Sequence, residues 1–353
     1  MSGPALGKLA PSGLDRLVLP HLGAARPEVL LGPRPGSDAA IVRVSAGRVL
    51  AMTTDPLSLL PGLSPERSAW LACHLVASDL WTSGIPPEYA AVTLNLPAAL
   101  PDDVLEPYLR AMGESWRDLG IAVVTGHTGR YDGLAGTIVG AATLVGVGDE
   151  GRWIGPPFVR PKDRVLITRD CAVEATAIAA QLFPRRLAQT LDEAALESAR
   201  ALIDKVSVVG DCRVALRVGV RDRGVAALHD ATEGGVLGGL LELARAAGCD
   251  LRIERARIPL STEARGACAM LGIDPYWALS EGTLILVVRA AFAGAVVTAL
   301  AEEGTRAFDV GEIVPGHGTL WLTEPDGAVV TVTEPVPDPY WDAYARAVRD
   351  GWT

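Results

Sequence analysis

The chain has 353 residues, 49% of them hydrophobic and 21% charged, with a formal net charge of -10; this excludes fibrous and disordered classes and argues against a broad nucleic-acid surface. Five cysteines, Cys73, Cys171, Cys212, Cys249 and Cys268, never fall in a C-x-x-C pair, so neither a disulfide framework nor a zinc site is indicated. The opening residues lack a signal-peptide pattern, and no apolar run reaches the ~18 residues of a membrane span. The expectation is a cytoplasmic protein with small-molecule or protein partners, binding neither nucleic acid nor membrane.

In chain order, strands are predicted over Ala39–Val44 and Val49–Thr53, joined by Ser45-Ala46-Gly47. Ser64-Pro65-Glu66 reads as the cap and first turn of a helix running to about Ser83. A strand at Tyr89–Leu96, a helix from Asp102 to Leu119 and strands at Ile121–Thr125 and Gly136–Val147 follow. The prolines of Gly155–Asp163 forbid a continuous helix or central strand, which places a domain boundary there, with domains 1–155 and 156–353. The second half predicts strands at Val165–Thr168, Ala226–Leu228, Leu251–Ile253 and Thr283–Val288, and helices at Val173–Leu182, Asp192–Lys205, Val236–Ala247 and Phe292–Glu303. Short strands near Asp309–Val314, Thr319–Leu322 and Val329–Thr333 close it. This alternation means a mixed α/β or α+β class. The aromatic segment Pro337–Tyr344 reads as a clasp on the domain surface.

The string His229-Asp230-Ala231-Thr232-Glu233-Gly234-Gly235 ends one strand and opens one helix. It is either an ordinary turn capped by Asp230 or Thr232, or an anion site in which paired glycines and free helical N–H groups meet phosphate. Asp38 leads into a strand and Asp55 leaves one, each suited to capping, turning or metal binding. Asp79 lies in a helix rich in Trp70, Leu71, Leu75, Ala77, Leu80 and Trp81; it either joins the solvent stripe or needs a partner such as a cation. Thr125-Gly126-His127-Thr128-Gly129 adds a small-residue turn with a titratable imidazole, structural or phosphate-facing. Neither a G-x-x-x-x-G-K-[ST] loop nor a junctional G-x-G-x-x-G occurs.

Taken in order, Gly36-Ser37-Asp38-Ala39-Ala40, Thr53-Thr54-Asp55, Ala77-Ser78-Asp79-Leu80, Gly126-His127-Thr128, Val208-Val209-Gly210-Asp211 and His229–Gly235 resemble the ATP-binding superfamily of aminoimidazole ribonucleotide synthetase. Its other members include the HypE-type hydrogenase maturation protein, thiamine-monophosphate kinase and selenophosphate synthetase. The resemblance implies a PurM-like α/β fold: an N-terminal sheet domain that makes a homodimer, a C-terminal α/β domain, and ATP with Mg2+ held between them. It further implies metal positions at Asp38, Asp55 and Asp79, with Asp55 and His127 as catalytic candidates. Cofactor contacts are implied at Gly126, Thr128, Asp211, Asp230, Glu233, Gly234 and Gly235.

Asp170-Cys171-Ala172-Val173-Glu174 and Ser280-Glu281-Gly282-Thr283 look most like the HypE branch. That branch ends in a Pro-Arg-Ile-Cys tail, whereas this sequence ends Asp350-Gly351-Trp352-Thr353, and the superfamily's usual Asn-Asp pair is Ser78-Asp79 here. The expectation is a HypE-like Mg2+- and ATP-dependent enzyme that phosphorylates or dehydrates an amide- or carboxylate-bearing substrate. The alternatives are a non-catalytic nucleotide-binding maturation subunit with a protein partner, and a thiamine-monophosphate kinase-like enzyme.

Overall fold

The computed structural model describes residues 7–9, 11–134 and 137–353. Gly136, where the sequence places the start of a strand, and residues 1–6, which bear on the absence of a signal peptide, lie outside the described residues. Two compact units emerge: Glu28–Gly32 with Asp38–Trp153, and Ile154–Thr353 with the described residues before Glu28 and Pro33–Ser37. We call them the N-terminal and C-terminal units. A short helix α1 (Pro11–Leu17) belongs to the latter.

The N-terminal unit contains β1 (Val29–Leu31), β2 (Ala40–Ser45), β3 (Arg48–Ser58), α2 (Pro65–Thr82), β4 (Tyr89–Pro97), α3 (Asp102–Asp118), β5 (Ala122–Tyr131) and β6 (Ile138–Asp149). Its sheet runs β1-β2-β3-β6-β4-β5, antiparallel except for the β4–β5 pair. Strict alternation makes one face apolar: Val49, Ala51 and Leu57 of β3 and Ala90, Val92, Leu94 and Leu96 of β4 are buried, while Thr93 and Asn95 are exposed. Helix α2 packs on β3 and on α3. Ser64 accepts the Arg67 N–H and Pro65 takes the first helical position, so this helix starts where its cap chemistry dictates.

Two strands run past the ends expected for them. β3 continues through Asp55-Pro56 to Ser58, paired with β6 throughout. Its pairing with β2 stops at Met52, so the segment carrying Pro56 has one open edge, and a missing N–H there costs no ladder bond. β5 runs through Gly126-His127-Thr128 to Tyr131. A Cβ at Gly126 would meet the Val92 carbonyl oxygen at 2.2 Å, so this glycine permits close approach to β4 instead of making a turn.

The C-terminal unit contains β7 (Arg164–Thr168), α4 (Val173–Leu182), α5 (Pro184–Leu187), α6 (Glu193–Ala201), α7 (Val209–Val218), β8 (Val225–Asp230), α8 (Gly235–Ala247), β9 (Asp250–Glu254), α9 (Thr262–Leu271), β10 (Leu284–Val288), α10 (Ala293–Glu302), β11 (Ala307–Val314), β12 (Leu320–Thr323), β13 (Val329–Val332) and α11 (Tyr340–Arg349). Its sheet order is β13-β12-β9-β11-β7-β10-β8, with only β9–β12 parallel. All five residues of β10 are fully buried, as expected of a strand covered on both faces. On one face Val165, Ile167, Ile285 and Val287 join Leu237, Leu240 and Leu241 of α8 in a single core. Each such side chain contributes about 1.5–3 kcal/mol by leaving water.

Candidate functional site

In the N-terminal unit, Thr53 organises the acidic residues. Its hydroxyl donates to the Asp38 carbonyl oxygen at 2.7 Å and lies 3.3 Å from Asp79 Oδ2. Asp38 enters β2, and Asp79 reaches over from α2 onto the apolar face of β3. Asp55 is two residues beyond Thr53 on the same strand and therefore on the same face. Asp38, Asp55 and Asp79 are all half-buried. The sequence reading of Asp55 as a residue leaving a strand is thereby corrected: it stands inside one. Ser78 is fully buried and donates to the His74 carbonyl oxygen at 2.8 Å, closing onto its own helix.

Gly126, His127 and Thr128 lie on the outermost strand of the N-terminal sheet and not in a turn, which corrects the expectation of a phosphate loop at a strand end. His127 is exposed, and its Nε2 lies 2.7 Å from the Tyr131 hydroxyl. Beside it opens a shallow hollow of about 390 Å³ lined by Val92, Leu94, Met112, Val123 and Val124. Val123 and Val124 are half or more exposed, an unusual state for strand valines.

In the C-terminal unit the glycine turn is tied down on every side. Asp230 ends β8 fully buried, and Ala231 N–H donates to the Thr283 carbonyl oxygen at 2.9 Å. His229 is buried with Nε2 3.2 Å from Glu242 Oε2 of α8. Gly234 and Gly235 have φ of +84° and +63°, in the left-handed region that glycine tolerates best. A Cβ on Gly235 would stand 2.7 Å from the carbonyl oxygens of both Tyr276 and Ala278, so this position admits no side chain. Glu233 accepts the Lys8 backbone N–H at 2.6 Å and the Trp341 indole N–H at 3.0 Å.

The other HypE-like motifs converge on this turn. Ser280 N–H donates to the Thr232 carbonyl oxygen at 3.3 Å, and Ser280 Oγ accepts the Ala172 N–H at 2.6 Å. Thr283 Oγ1 donates to the Asp170 carbonyl oxygen. Residues 170–174, 229–235 and 280–283, scattered in sequence, thus form one hydrogen-bonded floor. Buried Glu174 and Glu281 belong to it.

Asp211, expected to contact cofactor, opens α7 at 3% exposure. Both its carboxylate oxygens are engaged by the Arg169 guanidinium, and Oδ1 also accepts from Thr305 Oγ1 at 3.0 Å. Burial holds its carboxyl above the usual range even with Arg169 opposing that shift. This geometry is that of a structural ion pair, which also braces the floor because Arg169 donates to the Gly282 carbonyl oxygen at 2.7 Å.

Sequence reading missed four participants. Thr53 was legible in principle, since i and i+2 in a strand share a face. Arg169, Asp338 and Trp341 carried no local signal, their partners lying 42, 104 and 108 residues away. The aromatic segment expected as a surface clasp is a helix, α11, whose Tyr340 is 1% exposed and stacks with Tyr344.

The N-terminal domain of AIR synthase related protein matches residues 36–147, and its C-terminal domain matches residues 161–322. The chain is 29% identical over 289 residues to the carbamoyl dehydratase HypE of Cupriavidus necator, covering 80% of this chain and 78% of the relative. With HypE of Azotobacter vinelandii it shares 30% identity over 300 residues, 82% and 83% of the two chains. The crystal structure of E. coli HypE superposes with a TM-score of 0.70 at 26% identity, covering 89% of this chain and 94% of that one. Two further structures share the fold: a HypE–ATP complex (TM-score 0.67, 24% identity, 94% of each chain) and a HypE–HypF complex (0.68, 22%, 86% and 94%). Among the described residues no helix is long and apolar enough to cross a membrane.

Proposed function

From the premise that this chain belongs to the AIR synthase-related protein family through both of its domains, we propose that it is a HypE-like, ATP- and Mg2+-dependent enzyme. Its reaction is phosphoryl transfer to, or dehydration of, an amide- or carboxylate-bearing small molecule. The observation that carries this reading is the glycine turn at Gly234-Gly235, which starts a thirteen-residue helix on a floor built from the three motifs most like HypE. Helical N–H groups presented by side-chain-free residues suit phosphate oxygens. Relatives named carbamoyl dehydratase and a neighbouring fold with ATP bound support the same chemistry.

Asp38, Asp55 and Asp79 offer hard oxygen donors of the kind Mg2+ takes, and Thr53 ties the Asp38 backbone to the Asp79 side chain. Bound there, Mg2+ would neutralise charge on phosphate oxygens. The chain's own residues do the positioning: Thr53 orients Asp79, the Arg169–Asp211 pair steadies the Ser280–Thr283 segment, and the glycines let ligand oxygens reach main-chain N–H groups. The exposed β5 edge and its apolar hollow support a homodimer joined at that strand.

Calorimetric titration with a non-hydrolysable ATP analogue and Mg2+ tests the proposal. Binding in the micromolar to low-millimolar range is expected, with ATP turnover abolished by Asp55→Asn; no binding in that range refutes it. A neighbouring fold solved as HypE–HypF favours a second reading, a nucleotide-binding maturation subunit. Retained binding without turnover across a panel of amides, together with a stable protein partner in pull-downs, would select that reading.

A further inference from the structure

The N–H of Gly234, the residue that caps the start of α8, is engaged by the chain's own carboxylate, while the N–H groups of Gly235 and Leu237 go to the Thr232 and Tyr276 carbonyl oxygens. Gly234 N–H donates to Asp338 Oδ2 at 2.8 Å, and the other oxygen of Asp338 accepts the Tyr340 N–H at 2.7 Å. Around this contact the same segment holds the turn's acidic residue, with the Trp341 indole on Glu233 Oε1. From the other side Lys8 donates its backbone N–H to Glu233 Oε2 and its ammonium to Thr232 Oγ1, the latter at 2.6 Å. A carboxylate and a phosphate present the same chemistry to a helix start: an anionic oxygen accepting a main-chain N–H where the helix dipole is positive.

We propose that residues 338–341 form a strap that competes with the nucleotide's phosphate for the start of α8, so that ATP binds by displacing Asp338. The strap is built for a repeatable position. Prolines at 337 and 339 restrict the backbone on both sides of Asp338, and the buried Tyr340, Ala343 and Ala347 anchor α11 behind it. It is also built for release. Burial pushes the Asp338 carboxyl up to about 6, because desolvation outweighs the N–H donors, so the docked anion is held weakly compared with one in water. A capping aspartate with no other role gains nothing from an indole and a lysine fixing the adjacent glutamate.

The inference rests on the reading of the glycine turn as a nucleotide site, and one experiment separates the two. Full-length wild type, Asp338→Asn and Trp341→Phe are titrated with a non-hydrolysable ATP analogue and Mg2+, and hydrogen exchange of residues 338–345 is followed with and without nucleotide. A strap closed in nine molecules of ten reduces apparent affinity tenfold. Asp338→Asn is therefore expected to bind ATP about tenfold more tightly, Trp341→Phe to bind more tightly by a smaller factor, and nucleotide to speed exchange of the wild-type strap. Unchanged or weaker affinity in both variants, or strap exchange slowed by ATP, overturns the strap while leaving the nucleotide site intact. Absence of ATP binding in all three proteins overturns the reading of the turn and the strap with it. Trp341→Phe keeps the aromatic volume, so it still reports if Asp338→Asn folds poorly.

Discussion

Replacing Arg169 with methionine tests whether Asp211 braces the site or touches ligand. In the native unit the guanidinium supplies two bonds to a carboxylate only 3% exposed and a third to the Gly282 carbonyl oxygen. Arg169→Met leaves that carboxylate with the hydroxyls of Thr305 and Thr168 as neutral donors, and removing one partner of a buried pair costs about 3–5 kcal/mol. Against a domain stability of about 5–15 kcal/mol, the loss is about a fifth or more of the total. With a urea dependence of about 1–3 kcal/mol per molar, the C-terminal unit's midpoint should fall by roughly 1–5 M, read by circular dichroism. The double variant Arg169→Met/Asp211→Leu should recover most of that stability, because an apolar pair of similar volume replaces the ion pair at little cost. If Asp211 is structural, the double variant also keeps wild-type affinity for ATP analogues. A single-variant cost under about 1 kcal/mol would refute the energetic argument. Restored stability with lost nucleotide binding would return Asp211 to the ligand.

Two other expectations concern the N-terminal unit. Burial lowers His74, stacked on Trp70 at 4.2 Å, to about 4 despite the opposing pull of Asp118. A histidine with its folded value below its unfolded value of about 6.5 gives stability that is complete above pH 6.5 and lost as pH falls toward 4, up to about 3 kcal/mol. His74→Phe should flatten that acid limb in urea titrations across pH 7 to 4; an unaltered limb would assign it to other groups. At the sheet edge, Val124→Lys places a charge on a strand valine that is 62% exposed, a device that blocks strand pairing. Sedimentation at micromolar concentration should show a dimer converted to monomer, and a wild-type monomer would eliminate the proposed interface.

Where local chemistry decides structure, the sequence was readable. Ser64-Pro65 announced α2, Gly248 in the left-handed conformation ended α8, and the buried run Leu284–Val288 marked a strand covered on both faces. Where punctuation residues serve tertiary contacts, reading failed. Pro56 and Gly126 look like strand terminators, but the first faces an open edge and the second makes room for a neighbouring backbone. The same limit applies to the site. Asp38, Asp55 and Asp79 stood out as acidic residues at element ends or in an apolar helix, whereas Thr53 gains its meaning only when α2 folds over β3. Asp211 entered as a cofactor contact only through the family resemblance, and nothing near it in sequence announces its partner Arg169. Pro337–Tyr344 read as a surface clasp with no helix named, though a proline just before a first turn is compatible with the helix that starts at Tyr340.

The discontinuity of the C-terminal unit has a consequence for biosynthesis. Asp38–Trp153 forms most of the other unit in one uninterrupted stretch, so it can acquire its fold while the ribosome is still at work. Lys8, made earlier, must wait for Glu233, 225 residues downstream, which takes roughly 10–45 s at about 5–20 residues per second. Asp338 and Trp341 arrive later still. The glycine turn thus gains its full set of partners only after Asp338 and Trp341 have been made, and until then a nascent chain holds it open, with Gly234 N–H unmet by Asp338.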